Sequence, residues 1–167
     1  MLASRSEVGA RRQAEHELFK GAKDLATAEV GDPIGVVRFV ITPEIAERHA
    51  WAMDDYNPWY LDDSPFGGRI AWPTCPLLFE GSLFYDYYKY PVGGSLLAKQ
   101  EFEFIHPLKL GETYTMTGRL VDLYKSGGRT FFKMGVSITD PAGAEVMRTA
   151  KTIAAPVKPV LEEGRGS

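Results

Sequence analysis

The residues whose types can carry chemistry crowd into one stretch, residues 54–76 (DDYNPWYLDDSPFGGRIAWPTCP). Its aspartates are candidate proton donors or acceptors, and equally candidate turn caps. Tyr56, Trp59, Tyr60, Phe66 and Trp72 interleave with them, which argues that the segment packs instead of waving in solvent. A connector of this length with no periodicity of its own is usually functional. Cys75 is the only cysteine; as a nucleophile it needs a neighbouring imidazole and a lowered pKa. It cannot form an intrachain disulfide. His16, His49 and His106 are scattered, zinc spacings are absent and no calcium-loop pattern occurs, so no metal is expected. His49 falls on the apolar stripe of its helix and His106 precedes Pro107 in a strand-end turn, which gives both a structural reading first.

These residues must be held by the elements around them. Residues 4–28 are rich in Ala, Glu, Arg and Lys without proline, which predicts a helical arm with Leu18, Phe19, Ala22 and Leu25 as its docking stripe. Gly31, Asp32 and Pro33 mark a turn, and Gly35–Ile41 a strand. Thr42-Pro43-Glu44 starts a helix with a hydroxyl cap, a first-turn proline and an acid at the positive end. Its stripe is Ile45, His49, Ala52 and Met53, and it ends near Asp54. From Leu77 to about Tyr88 a second helix is apolar over most of its girth, with Leu77, Gly81, Phe84 and Tyr88 on one face and Leu78 and Tyr85 widening it, which predicts a buried central helix. Four β-rich runs follow, Leu96–Ile105, Thr113–Leu123, Thr130–Thr139 and Glu145–Ala154, separated by turn residues.

The chain of 167 residues, 44% hydrophobic and 25% charged, suits one folded core and excludes a disordered chain. The organisation expected is a helical arm over 1–30, one domain over 31–158 and a frayed tail over 159–167. A net charge of −3 without like-charge runs gives no nucleic-acid footprint. No apolar run approaches a bilayer span, and the N-terminal MLASRSEVGARRQAEHELF has no apolar core of a secretion signal. A soluble cytoplasmic protein is the expectation.

The order of elements fits an α+β hot-dog arrangement, a curved antiparallel sheet wrapped around a central helix. One layer cannot cover both the face and the edges of such a sheet, so a second copy or a related subunit is expected. The stretch Asp54-Asp55-Tyr56-Asn57-Pro58-Trp59-Tyr60, with Phe66-Gly67-Gly68-Arg69-Ile70-Ala71-Trp72-Pro73, resembles the hydratase motif of MaoC-like enoyl-CoA hydratases and dehydratases, G-D-x-N-P-x-H followed by F-G-x-x-I-A-H-G. Phe104 to Glu112 resembles the family's F-x-x-P-V-x-x-G-D turn. The resemblance implies addition of water to an α,β-unsaturated acyl thioester, or its removal, on a CoA or acyl-carrier-protein substrate and without a further cofactor. It also implies an acid/base role for Asp55, with Asn57 beside it.

Two positions depart from the motif. Tyr60 stands where the family has its catalytic His, and a phenol is a poor base near neutral pH; it can orient water or donate a hydrogen bond. Pro73 stands where the family glycine offers an N–H, and proline has none, so Thr74 N–H is the candidate replacement. N-P-x-Y with I-A-x-P-T is similar to the N-terminal, fatty-acid-synthase-like dehydratase half of MaoC relatives, which often pairs with a second hot-dog unit carrying the intact Asp and His. Two readings follow: an acyl thioester hydratase or dehydratase using Asp55, Tyr60 and Asn57, or a non-catalytic acyl-binding subunit of a heterodimer. Trp72, Pro73, Thr74 and Tyr85 are the candidate substrate contacts. Arg69, Lys99, Arg129 and Lys133 are either phosphate contacts or solvated charges.

Overall fold

The computed structural model describes residues 23–24, 27–89 and 95–155, with side chains for all of them except 24, 82 and 84–89. In chain order the elements are β1 (Lys23–Asp24), β2 (Pro33–Val40), α1 (Pro43–Met53), the single turn α2 (Pro58–Leu61), α3 (Leu77–Tyr87) and β3 (Tyr88–Lys89), then β4 (Leu96–Phe104), β5 (Thr113–Ser126), β6 (Arg129–Thr139) and β7 (Glu145–Ala154). Five strands make one antiparallel sheet in the order β2-β5-β6-β7-β4, with α3 packed on one face. This is the hot-dog fold that the order of elements predicts.

Alternation decides which face is inner. Phe132, Met134, Val136 and Ile138 of β6 are buried, as are Tyr114, Met116 and Leu120 of β5, and their cross-strand register puts them on the same side. The outer face is charged: Lys99 and Lys133 hold Glu101, and Arg148 joins Glu103 to Glu145. Hydrogen bonds from Lys133 and then Lys99 draw the Glu101 carboxyl down to about 2. The β5–β6 hairpin closes on Gly127-Gly128, both at positive φ, as a two-residue loop requires.

The seat of α3 depends on Gly118. A β-carbon there would meet Ile34 Cγ1 at 2.6 Å and Leu83 Cδ1 at 3.4 Å, so its absence lets Ile34 and the helix close on β5. The helix is turned differently from the stripe expected of it. Pro76, Glu80 and Leu83 are buried and Phe79 packs on the core, while Leu78 is 64% exposed. Because apolar residues surround this helix, periodicity carries no phase; Pro76 and the Glu80 ion pair described below set it instead. In α1 the buried residues are Ala46 and Ala50, and Met53, expected inward, is exposed.

The helix expected over 4–28 is replaced at its C-terminal end. Lys23–Asp24 pairs in parallel with Tyr88–Lys89, and the Lys23 ammonium binds Asp32 at 2.8 Å. The rest of the arm and the tail lie outside the described residues. Among the described residues no helix is long and apolar enough to cross a membrane.

Candidate active site

Helix α1 starts on Pro43, but the Thr42 side chain makes no capping bond. Its hydroxyl instead serves Glu44, and that hydrogen bond is the main reason the Glu44 carboxyl sits below its ordinary value. The helix ends on Asp54, which takes the left-handed conformation at φ 52°, the only non-glycine to do so among the described residues. Ala50 O accepts both the Asp54 N–H and the Asp55 N–H, the latter at 3.0 Å. This reversal carries the chain sharply off the helix and leaves Asp55 as the first residue of the loop.

The Asp55 carboxylate accepts the Asn57 N–H at 3.3 Å, and Asn57 Oδ1 accepts the Trp59 N–H at 3.0 Å. Asn57 thus caps α2, with Pro58 at its first position. The turn brings Tyr60 back toward Asp55. Partial burial, and then the Asp55 charge, raise the Tyr60 pKa above the ordinary tyrosine value. The phenol therefore keeps its proton at neutral pH, which leaves it able to donate a hydrogen bond.

The Phe66–Ala71 strip is laced between two partners. On one side Arg69 Nε donates to Tyr60 O at 2.8 Å and Ile70 N–H to Trp59 O at 2.9 Å. On the other, Ala71 N–H donates to Leu108 O at 2.7 Å and Leu110 N–H to Arg69 O at 3.1 Å. Arg69 also lies 3.7 Å from Glu47, so it serves the loop itself. Trp72 is buried, and the half-buried His49 ring stacks on it at 3.7 Å between centroids and 5° between planes. Pro73 and Thr74 are exposed at the entrance to α3. Thr74 O accepts the Leu77 N–H at 3.1 Å, while the Thr74 N–H bonds to none of the described residues. The Tyr85 side chain lies outside the described ones. Burial pushes the Cys75 thiol up to about 12, which removes it as a nucleophile.

His106 stands apart from this group. It lines a cavity of about 330 Å³ with Phe66, Lys109, Glu112 and Asp140. At its wall the Tyr114 hydroxyl accepts the Lys109 N–H at 2.7 Å and donates to Glu112 at 3.0 Å. The structure thus brings Asp55, Asn57 and Tyr60 together and assigns both described histidines elsewhere.

One polar group escaped the sequence reading. Glu80, on the sheet side of α3 and 3% exposed, accepts from Thr149 Oγ1 and lies 2.8 Å from the Lys151 ammonium. The signal available was an acid in the first turn of an apolar helix and a lysine in the inward phase of β7. Around the loop the surface is apolar: Trp51 (79% exposed), Met53, Tyr56, Trp59, Phe66 and Leu78. Leu96, Leu97, Phe104 and Ile105 extend this character along the free edge strand β4.

Residues 28–149 match the family model described as FAS1-like, dehydratase domain region. No curated protein sequence matches the chain. Among solved structures, an (R)-hydratase of Pseudomonas aeruginosa superposes with a TM-score of 0.65 at 22% identity, over 80% of this chain and 85% of that one. A MaoC-like dehydratase of Rhodospirillum rubrum gives 0.67 at 18% identity, over 83% and 100%. A (3R)-hydroxyacyl-ACP dehydratase complex of Mycobacterium tuberculosis gives 0.68 at 17% identity, over 78% and 100%.

Proposed function

The chain belongs to the FAS1-like dehydratase-region family, and from that premise we propose that it hydrates an enoyl thioester, or dehydrates the 3-hydroxyacyl thioester, using Asp55 as acid/base. The observation that supports this reading is that one turn carries Asp55 and Tyr60: the Asp55 carboxylate accepts the Asn57 N–H, and its charge, after burial, helps raise the pKa of a Tyr60 phenol that retains its proton. In the hydration direction Asp55 takes a proton from water as the water oxygen bonds to the β-carbon. The π electrons move toward the α-carbon and the thioester oxygen, and the proton returns from Asp55 to the α-carbon. Tyr60 donates a hydrogen bond to the water oxygen and orients it. The Thr74 N–H just ahead of α3, which bonds to none of the described residues, supplies the donor for the developing negative charge on the thioester oxygen. Asn57 positions the turn and touches no reacting atom.

A second reading, in which the chain is the acyl-binding half of a heteromer, is favoured by a specific observation. Among the described residues no imidazole makes a hydrogen bond or ion pair with Asp55, and Trp51, Met53, Tyr56 and Trp59, in and beside the loop, are exposed. Exposed apolar patches of this kind mark interfaces, and β4 offers an unpaired edge for a second hot-dog chain.

One experiment separates the two. The purified chain is given crotonyl-CoA and longer enoyl thioesters, alone and with a histidine-bearing hot-dog subunit encoded nearby, while the absorbance of the conjugated thioester is followed. Turnover by the chain alone that is lost in Asp55→Asn and kept in Asp54→Asn establishes the enzyme. Turnover only with the partner establishes the subunit. Release of free thiol in place of hydration overturns both.

A further inference from the structure

The inner face of the sheet is apolar along β5 and β6 and turns polar toward its far edge. On β7 the inward residues are Met147, Thr149, Lys151 and Ile153, opposite Ile138, Val136, Met134 and Phe132 of β6. Thr149 and Lys151 are both engaged by Glu80. Opposite Lys151 on the edge strand β4 stands Gln100, which therefore shares the inner face with Leu97, Phe102 and Phe104. The rings of Phe102 and Phe104 stack at 5.7 Å. Gln100 is the one polar side chain in that apolar row. Its Oε1 and its Nε2 are both shut off from solvent, and neither has a hydrogen-bond partner.

An amide held this way bears the full cost of desolvation with no bond in return. Filling the space would call for Leu or Met, as at the neighbouring positions, so packing does not account for the amide. Lys151 is committed to Glu80, which also leaves the row without net charge to attract an ion. We propose that Gln100 is a ligand-binding residue, whose amide receives a neutral group that both donates and accepts hydrogen bonds, an amide or a hydroxyl, carried by an otherwise apolar ligand lying along the inner face of β4. The inference rests on the thioester reading for the class of ligand. Such a ligand has two sources for the group: the amides of its pantetheine arm, or a hydroxyl on its acyl chain.

The test is a binding titration on the full chain, comparing Gln100→Leu with the unaltered protein and Gln100→Met as a second variant. The probes are D-pantetheine, octanoyl-pantetheine and ω-hydroxyoctanoyl-pantetheine. If the arm is read, both variants weaken all three probes by about tenfold, the worth of one hydrogen bond to a buried amide. If the acyl chain is read, only the ω-hydroxy probe weakens. In either case the ligand-free variants melt several degrees higher, because two unmet polar atoms are gone. Three results overturn the proposal: unchanged affinity for every probe, failure of the unaltered chain to bind any of them, or variants that lose self-association in sedimentation and keep their ligand affinity. The readout is binding, so loss of the hydratase reading through absent turnover leaves this outcome separately legible.

Discussion

The Lys151 ammonium lies 2.8 Å from the Glu80 carboxylate in a pair closed between α3 and the sheet, with the carboxylate side chain 3% exposed. Removing one partner strands the other charge in the interior. Lys151→Ala and Glu80→Ala are each expected to cost about 3–5 kcal/mol in urea unfolding. The double variant Glu80→Leu with Lys151→Met is expected to recover most of that loss, because an apolar pair of similar volume replaces a desolvated ion pair. A double variant no more stable than the singles contradicts this account.

Gly118 gives a second test, of how α3 is seated. A methyl group there overlaps Ile34 Cγ1, only 2.6 Å from where the added carbon would stand. Gly118→Ala is expected to destabilise the fold by about 1–3 kcal/mol. Adding Ile34→Val, which removes Cδ1, the second overlapping atom at 2.9 Å, is expected to return part of it. Equal stability of Gly118→Ala and the unaltered chain in thermal melts refutes the close seat.

Asn57 holds the loop through its bond to the Trp59 N–H at 3.0 Å. Asn57→Ala is expected to cost about 1 kcal/mol, the usual worth of such a cap. Its effect on turnover is expected to fall on Tyr60 placement, so Asn57→Asp, which keeps the accepting oxygen, rescues both stability and rate. Loss of rate in Asn57→Asp with stability intact would instead give the amide a part in the chemistry.

Alkaline pH is expected to weaken the fold. The folded chain holds the Cys75 proton up to about 12, while the unfolded chain releases it from about pH 8.5 upward. Between those values the folded state binds more protons, so stability falls as pH rises, by up to about 1.4 kcal/mol per pH unit for one group. Tyr60 and Tyr114, also raised by burial, add to the decline once the unfolded phenols ionise. Urea midpoints of Cys75→Ala measured from about pH 8 to pH 10 are expected to decline less steeply than those of the unaltered chain.

How much of this was legible in the sequence differs by element. The alternation of Phe132, Met134, Val136 and Ile138 announced β6 and its inner face, and the turn residues Gly127-Gly128 and Asp140 to Gly143 fixed where the hairpins close. The motif around Asp55 was readable because its spacing is local. The rotation of α3 was not, since apolar side chains on every side give no preferred phase, and Glu80 turns inward only because Lys151 and Thr149 wait far along the chain on β7. Gln100 was hidden for the same reason: in LAKQEFEF it alternates like any edge residue, and only the pairing with Lys151 shows which side it faces.

Lacing residues 69–71 to the Trp59–Tyr60 carbonyls on one flank and to residues 108–110 on the other has a kinetic corollary. The segment after the aspartate turn is thereby tied to the connection between β4 and β5. On the proposed hydratase reading, an incoming thioester meets a loop already tied down and forfeits little backbone entropy at that spot.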